Sequence, residues 1–117
     1  MATKNRKLQA HERGRKGEDI AAAWYEQQGY TIIERNWRCF EGEIDLIAQR
    51  GRSLVVCEVK ARGRSRIDPA LALTPAKASK VRTATYRWLE QSTKRGRVRF
   101  DLALVVDGQL QVMQGAF

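Results

Sequence analysis

The stretch from Gly42 to Lys60 constrains the fold of this chain more than any other. It reads GEIDLIAQRGRSLVVCEVK, so that two runs of strand-like residues flank the short polar link QRGR. Such runs on either side of a short link are typical of a β-hairpin. Both runs carry charged residues where a half-buried strand normally has apolar ones, and an unpaired buried charge is costly. The charges therefore need partners or a ligand.

The alternation of side chains along a strand predicts where these charges lie. In the first strand Glu43, Asp45 and Ile47 should share a face. The second strand should place four side chains on one face: Leu54, Val56, Glu58 and Lys60. If the strands pair, Asp45, Glu58 and Lys60 converge at one end of the sheet. Carboxylates hold Mg²⁺ together with phosphate oxygens, and a lysine beside them can orient a water, which is the chemistry of metal-assisted phosphodiester hydrolysis.

Length and composition fit a single globular domain. The chain has 117 residues, of which 43% are apolar and 30% charged, as is usual for a domain with a moderate core. No apolar run is long enough to span a bilayer, and the basic residues 1–17 have no apolar signal segment behind them. We therefore expect a cytoplasmic protein without a membrane partner.

The cysteine and histidine content limits the possible chemistry. Cys39 and Cys57 stand alone in strand-like contexts, so reduced, semi-buried thiols are expected. The single histidine, His11, lies in a polar segment, which disfavours both a structural zinc site and Ser/His/Asp hydrolysis. Any metal must therefore be held mainly by carboxylates.

The net charge of +9 is distributed unevenly along the chain. Residues 1–17 hold six Lys/Arg and one acid, and residues 62–99 hold eleven Lys/Arg and two acids, whereas residues 18–61 hold five Lys/Arg and eight acids. An acidic centre between basic segments suggests a metal site within a surface that attracts a polyanion such as nucleic acid. A solvated basic surface or a ribosome-associated protein would also account for the charge.

The first part of the chain is predicted to form an arm and a helix. Residues 1–13 have no apolar periodicity, so we predict a mobile basic arm, followed by a single domain over residues 14–117. A helix is predicted from about Arg15 to Gln28, and Gly29 is suited to end it. Its apolar face should contain Ile20, Ala23, Trp24 and Gln27.

Glu18 has two interpretations at this stage. With Asp19 it would lie in the first turn of the predicted helix, where the helix dipole favours anions. Alternatively, Glu18 shares a face with Ala22 and Tyr25 and points toward the carboxylates of the hairpin. The sequence leaves both open.

The remaining elements follow from local signals. A strand with imperfect alternation is predicted over Tyr30–Phe40, and a loop of arginines and turn residues over Arg62–Leu73. Thr74 as N-cap and Pro75 at the first helical position predict a second helix to about Gln91. The core stripe of that helix should contain Val81, Ala84, Trp88 and Leu89.

Two further strands are predicted at the end of the chain. They cover Val98–Val106 and Gln109–Gln114, and a tight turn at Asp107-Gly108 joins them. Asp101, an acid within an apolar strand, is predicted to pair with an arginine such as Arg99. The element order is αβββαββ, which indicates an α/β fold with a mixed central sheet of about five strands flanked by helices.

Taken together, several segments resemble the YraN/UPF0102 family of small bacterial proteins. They are GRKGEDIAAAWYEQQGY, NWRCFEGEIDLIA, LVVCEVKAR, the second helix with its TP start, and RFDLALV. The resemblance extends from about Gly14 to the C-terminus. The family in turn resembles the restriction-endonuclease-like PD-(D/E)XK superfamily, which includes archaeal Holliday-junction resolvases. The superfamily motif is an acid, a variable gap and Asp/Glu-x-Lys, matched here by Asp45 and Glu58-Val59-Lys60.

The resemblance implies a restriction-endonuclease-like fold over one nuclease-like domain, residues 14–117. It also implies an endonuclease that uses Mg²⁺ (or Mn²⁺) to hydrolyse phosphodiester bonds in DNA, including branched or recombination intermediates. By motif, four residues would be catalytic: Asp45, Glu58, Lys60 and Glu18. Asp45 and Glu58 would ligate the metal with the Val59 carbonyl.

The other implied roles surround this centre. Lys60 would position or help deprotonate the attacking water, Glu18 would help hold a metal or its water, and Glu43 would serve in the outer shell. The basic charge of the flanking segments adds seven cations that are expected to contact nucleic acid: Arg13, Arg15, Lys16, Arg62, Arg64, Lys77 and Lys80. Arg62 would contact the scissile or a neighbouring phosphate. Resolvase-like relatives act as dimers, which makes a homodimer one option, but the sequence shows no self-complementary patch and leaves the oligomeric state open.

Two other functions remain open from the sequence. The first is a non-catalytic nucleic-acid-binding module in DNA recombination, repair or uptake, which explains the basic charge but not the charged residues on the hairpin. The second is a structural set of salt bridges that joins Lys60 to Asp45 or Glu58. That arrangement would leave one carboxylate in excess.

Overall fold

The structure, a computed structural model, describes the backbone of residues 2–63 and 72–117 and the side chains from residue 8 onward. This part of the chain contains two helices and five strands. They are α1 (Ala2–Gln27), β1 (Thr31–Cys39), β2 (Gly42–Arg50), β3 (Ser53–Arg62), α2 (Pro75–Gln91), β4 (Arg97–Val106) and β5 (Gln109–Met113). This order confirms the predicted αβββαββ fold. Most of the loop predicted over Arg62–Leu73 lies outside the described residues.

The five strands form one mixed sheet in the order β1-β2-β3-β4-β5. β1, β2 and β3 pair antiparallel, β3 and β4 pair parallel, and β5 returns antiparallel to β4. The parallel step requires a crossover connection, and α2 lies within it. α1 packs on one face of the sheet and α2 on the other. Both apolar faces are therefore covered, as predicted.

The start of α1 differs from the prediction by thirteen residues, because the helix begins at Ala2 rather than at about Arg15. Its early residues include many good helix formers, such as Ala, Lys, Arg, Gln and Leu. A helix that projects into solvent needs no apolar stripe, so the search for periodicity missed it. Among the described residues, neither helix combines the length and apolarity needed to cross a membrane.

The buried face of α1 also differs from the predicted one. Ala23 and Gln27 are exposed, and the buried residues are Gly17, Ala21, Ala22 and Tyr25. A Cβ atom built on Gly17 would lie 2.8 Å from the Cβ of Ala61 on β3, so the helix approaches the sheet too closely for any side chain there. Three small residues and Tyr25 therefore define the contact face, and of the predicted residues Trp24 packs against it partly buried.

The second helix agrees closely with its prediction. The Thr74 hydroxyl oxygen accepts a hydrogen bond from the Lys77 N–H at 3.2 Å, and Pro75 is the first helical residue. Val81, Ala84 and Trp88 are buried against the α2 face of the sheet. The cap and the apolar spacing thus specify both the start and the orientation of α2.

Local backbone irregularities account for the imperfect patterns of β1 and β2. The β1–β2 register shifts between Ile32 and Glu34, as in a β-bulge, and Asn36 has a positive φ of 52°. In β2, Ile44 and Ile47 pack into the same core cluster, so simple alternation fails between them. Ile47 is therefore a core residue, not a site residue.

The predicted turn and the predicted ion pair of β4 are both present. Asp107 and Gly108 have φ angles of 50° and 76°, the left-handed pair that a tight hairpin turn requires. Asp101 is 0% exposed, and its carboxylate accepts hydrogen bonds from Arg99 at 2.8 and 3.0 Å. The Tyr25 hydroxyl donates to the same carboxylate at 2.5 Å. Burial, with help from this carboxylate, raises the pKa of Tyr25 far above its usual value, so the hydroxyl keeps its proton.

Candidate active site

The candidate site lies where β2 and β3 separate. The last pair that joins these strands is Leu46 with Cys57. Beyond it, β2 continues along β1, while β3 continues along β4. The sheet therefore forks, and Asp45 and Glu58 are the first residues of each strand past the fork.

The two carboxylates occupy the base of the fork and bond to the opposite backbone. Asp45 Oδ2 accepts a hydrogen bond from the Val59 N–H at 2.8 Å, and Glu58 Oε1 accepts one from the Asp45 N–H at 3.4 Å. Side chains thus take the place of the backbone carbonyls that a continuous ladder would use. These bonds engage one oxygen of each carboxylate, so each retains a second oxygen that can coordinate a cation.

A cavity of about 220 Å³ lies at the fork, and the predicted residues line it. Charged residues from α1, β2, β3 and α2 line it: Glu18, Glu43, Asp45, Glu58, Lys60, Lys77 and Lys80. The cavity therefore contains all four residues that the motif marks as catalytic. It also contains the outer-shell acid and two of the seven predicted nucleic-acid-binding residues.

Glu18 reaches the cavity from the middle of α1. Because the helix begins at Ala2, Glu18 lies about four turns beyond the N-terminus, and its explanation by the helix dipole is wrong. Glu18 Oε1 accepts a hydrogen bond from the Asn36 side-chain amide at 3.1 Å. Asn36 thus orients Glu18 from β1. Nothing in the sequence pattern had marked Asn36, whose left-handed φ becomes evident only in the folded strand.

The charges of the cavity perturb one another. Burial, with repulsion from Glu18 and Glu43, raises the pKa of Asp45 to about 6, although the hydrogen bond from the Val59 backbone opposes this. Burial and the neighbouring Asp45 raise the pKa of Glu58 to about 8. Burial and the nearby Lys77 lower the pKa of Lys60 to about 8. The raised pKa values mean that the two neighbouring carboxyls are costly to ionise together. A cation bound between them would therefore stabilise their charged forms.

Lys60 makes no close ion pair with either acid in the described part of the chain. Within the described chain, ion pairs closer than 4.0 Å are made by Arg35, Arg38, Arg87 and Arg99. Lys60 is in none of them, so a salt bridge from Lys60 to Asp45 or Glu58 does not explain the buried acids. The salt bridges that the structural alternative named are therefore not among the ion pairs of the described residues.

The donor set fits an open magnesium site better than a closed one. No three His, Cys, Asp or Glu side chains of residues 8–63 and 72–117 are gathered tightly enough to enclose an ion. Mg²⁺ does not need such a cage, because one or two carboxylates with waters and phosphate oxygens suffice. Asp45 and Glu58 line the cavity, and each has an oxygen that the two strand-bridging hydrogen bonds do not use, so they provide such a pair.

The other predicted cations lie around α1, outside this cavity. Arg13, Lys16 and Arg62 line a second cavity of about 400 Å³, between α1 and the ends of β3 and β4. Arg15 lines a third, which it shares with Arg38 and with Glu18 and Glu43; the sequence analysis had not marked Arg38. Arg64 lies outside the described residues. Arg62 is therefore placed away from Asp45 and Lys60, on the other side of α1.

The raised pKa of Glu58 leads to a prediction about stability and pH. A carboxyl whose pKa is about 8 in the folded chain and 4.5 when unfolded stabilises the fold below pH 4.5, and this contribution is lost as the pH rises to 8. In EDTA, Glu58→Gln should therefore gain stability relative to wild type between pH 5 and pH 8. At pH 8 in EDTA, we expect the melting temperature of Glu58→Gln to be roughly 5 °C higher than that of wild type.

Excess Mg²⁺ should reverse this order, because a ligand that binds only the folded state raises its stability. Wild type should gain in melting temperature and Glu58→Gln should not. Glu26→Gln, at an exposed position of α1, is the matched control and should follow wild type throughout. An equal gain from Mg²⁺ in wild type and Glu58→Gln would exclude Glu58 as a ligand.

Comparison with known proteins identifies the family of the chain. The model of the family described as "Uncharacterised protein family UPF0102" matches residues 17–105. The chain is 48% identical over 94 residues to a UPF0102 protein of Frankia casuarinae, covering 79% of this chain and 80% of that protein. It is 39% identical over an alignment of 121 residues to a UPF0102 protein of Acidothermus cellulolyticus, covering 89% and 92%. The chain belongs to the UPF0102 family, as its sequence motifs predict.

Proposed function

We propose that this protein is a Mg²⁺-dependent endonuclease that hydrolyses phosphodiester bonds in DNA, including branched DNA. One observation carries the proposal: Asp45, Glu58 and Lys60, which match the superfamily motif, line the same cavity at the fork of the sheet. A binding module would have no use for two buried acids that destabilise each other. A metal-dependent hydrolase uses both.

The acids would hold the metal. Asp45 and Glu58 would each contribute a carboxylate oxygen, and Glu18 and Glu43 would act on its waters, since all four line the cavity. Mg²⁺ or Mn²⁺ bound there would supply a nucleophilic water at neutral pH and offset the charge of the phosphate. Asn36, through its bond to Glu18, would keep that acid oriented.

Lys60 is suited to the proton and charge requirements of the reaction. Burial and Lys77 lower its pKa to about 8, so that near neutral pH its amine can both hold and release a proton. In the protonated form, it would orient the attacking water and stabilise negative charge that develops on the phosphoryl oxygens. Its position two residues after Glu58, on the α2 side of β3, brings it to the same cavity as the acids.

The lysines of α2 would bind the substrate rather than the metal. Lys77 and Lys80 line the same cavity opposite the acids, and each phosphate that a lysine neutralises releases a counterion. Without such cations, four carboxylates in a small cavity would repel a polyanion. In this proposal the acids of the cavity would hold the metal, and the lysines of α2 would meet the DNA backbone.

The test is cleavage of labelled single-stranded, duplex, flap and four-way-junction DNA in Mg²⁺ or Mn²⁺. We expect wild type to cut at least one of these DNAs and EDTA to abolish the cutting. Asp45→Asn should bind DNA normally but cut it at least 10²-fold more slowly, because a neutral amide is a poorer ligand than a carboxylate. DNA that is bound but left intact by wild type in both metals would contradict the proposal and favour a non-catalytic binding module.

A further inference from the structure

The tip of the β1–β2 hairpin presents an exposed aromatic side chain close to the candidate site. Phe40 is 101% exposed, whereas the other large exposed apolar residues of the described chain, Leu8 and Tyr86, are 56% and 65% exposed. A single exposed apolar residue is common on protein surfaces. Phe40 differs from such a residue in two respects: its neighbours in the chain are fixed against α2, and it lies close to the candidate site.

Contacts with α2 hold the two residues that follow Phe40. The Glu41 carboxylate accepts a hydrogen bond from the Arg87 guanidinium at 3.1 Å, and a Cβ atom on Gly42 would lie 3.1 Å from the Lys80 carbonyl oxygen. Cys39, the residue before Phe40, packs against the part of the core that faces α2. The hairpin tip is therefore attached to α2 while the Phe40 ring faces solvent.

Phe40 is close to the proposed reaction centre along the chain. Gly42 and Glu43, two and three residues later, line the cavity that contains Asp45 and Lys80. At about 3.4 Å per residue along a strand, Phe40 lies no more than about 17 Å from Asp45. Stacked bases are about 3.4 Å apart, so a base within about five nucleotides of the scissile phosphate can reach the ring.

An exposed aromatic ring beside a cationic groove is the combination that binds single-stranded nucleic acid. The cations attract the backbone, and a base stacks on the ring in any sequence. In continuous duplex both faces of each base are already covered by neighbouring base pairs. Lys77 and Lys80 line one cavity beside the hairpin tip, together with the acids of the proposed metal site. Arg15 and Arg38 line the next cavity, where Arg38 Nε lies 3.5 Å from the Glu43 carboxylate. Lysines and arginines that can meet a phosphate backbone therefore lie near the ring.

We infer that Phe40 stacks on an unpaired base and thereby directs this protein to single-stranded segments and to the unpaired bases of flaps and junctions. The inference deepens the proposed function and rests on its nucleic-acid substrate. It does not require that cleavage take place. Phe40 is a positioning residue here, because it contacts the substrate away from the reacting phosphate.

The test compares Phe40→Ala with wild type in binding experiments with Ca²⁺ in place of Mg²⁺. Fluorescence anisotropy with labelled single-stranded, flap and blunt duplex DNA gives the three affinities. Stacking of one base contributes about 1–3 kcal/mol, so Phe40→Ala should lose about 5- to 150-fold in affinity for single-stranded and flap DNA. Affinity for duplex should change less than twofold, and Phe40→Tyr should restore most of the loss.

Tyr86→Ala is the matched control. Tyr86 is an exposed aromatic residue on α2, nine residues from Lys77 and therefore on the opposite side of the helix. Its replacement should change none of the three affinities. As a direct readout of stacking, 2-aminopurine is placed at successive positions of the single strand. At one or more of them its fluorescence should change with wild type and not with Phe40→Ala.

The outcomes separate this inference from the nuclease proposal. Equal losses of affinity for duplex and single strand, no loss in Phe40→Ala, or no binding of single strands by wild type would each overturn the inference. If wild type cuts DNA but Phe40→Ala binds and cuts every DNA normally, the nuclease stands and the inference fails. If Phe40→Ala loses single-strand affinity but no DNA is cut, the inference holds for a binding module.

Discussion

Lys60→Ala is expected to lower metal-dependent DNA cleavage by about 10²- to 10⁴-fold, the usual range for loss of a group that transfers or holds a proton in the transition state. The effect should lie in the chemical step, since the metal would be held by Asp45 and Glu58. Lys60 lines the cavity with these two acids, yet makes no ion pair to either within the described chain. Its removal should therefore leave the fold intact.

Single-turnover cleavage of the best substrate, with DNA affinity measured separately, checks this expectation. Lys94→Ala is the control for charge alone, because Lys94 is an exposed lysine in the turn after α2, and it should cleave at nearly the wild-type rate. Lys60→Arg should not restore activity, since a bulky guanidinium that stays charged cannot replace an amine with a pKa near 8. Cleavage by Lys60→Ala within a few-fold of wild type would remove Lys60 from the chemistry.

Asp101→Ala is expected to cost about 3–5 kcal/mol in the free energy of unfolding, the range for breaking a buried charge network by removing one partner. The change removes the acceptor of the Tyr25 hydroxyl, of the Arg99 guanidinium and of the Gly115 N–H. Tyr25 is fully buried, so its hydroxyl would lose its partner without gaining water. The network joins α1, β4 and the chain after β5, so its loss should affect the whole domain.

Urea unfolding measures this cost, read from the midpoint at constant slope. Tyr25→Phe should cost less, about 1–2 kcal/mol, because Asp101 keeps its other donors. Asp19→Ala is the matched surface control: its ion pair with Arg35 is exposed and should contribute less than about 1 kcal/mol. If Asp101→Ala unfolds at the wild-type midpoint, the network does not stabilise the fold.

The sequence predicted the element order because its signals were local. The Thr74-Pro75 start, the Asp107-Gly108 turn and the apolar runs each specify one element without reference to the rest. The start of α1 was missed because a helix in solvent has no apolar face to detect. Its buried face was missed because small residues, Gly17 above all, form it. These features depend on what the helix packs against.

The candidate site was predictable in its members but not in its geometry. Strand alternation and the motif marked Asp45, Glu58 and Lys60, and the structure brings them to one cavity with Glu18. The fork itself was not visible in the sequence, because both strands read as continuous. Asn36 carried no pattern that could have identified its role. The catalytic and metal-binding roles of these residues remain predictions.

The fork also divides the sheet into two arms at the site, each with its own supporting strand. From the Leu46–Cys57 pair to the Arg50–Ser53 pair, β2 and β3 share a continuous ladder. Past Leu46 and Cys57, on the side of Asp45 and Glu58, β2 pairs with β1 and β3 pairs with β4. Asp45 belongs to one arm, while Glu58 and Lys60 belong to the other. Two side-chain hydrogen bonds replace the β2–β3 ladder between the arms. The spacing of the two acids therefore depends on the core that packs each arm, such as Ile44 buried against α2, and not on backbone pairing between β2 and β3.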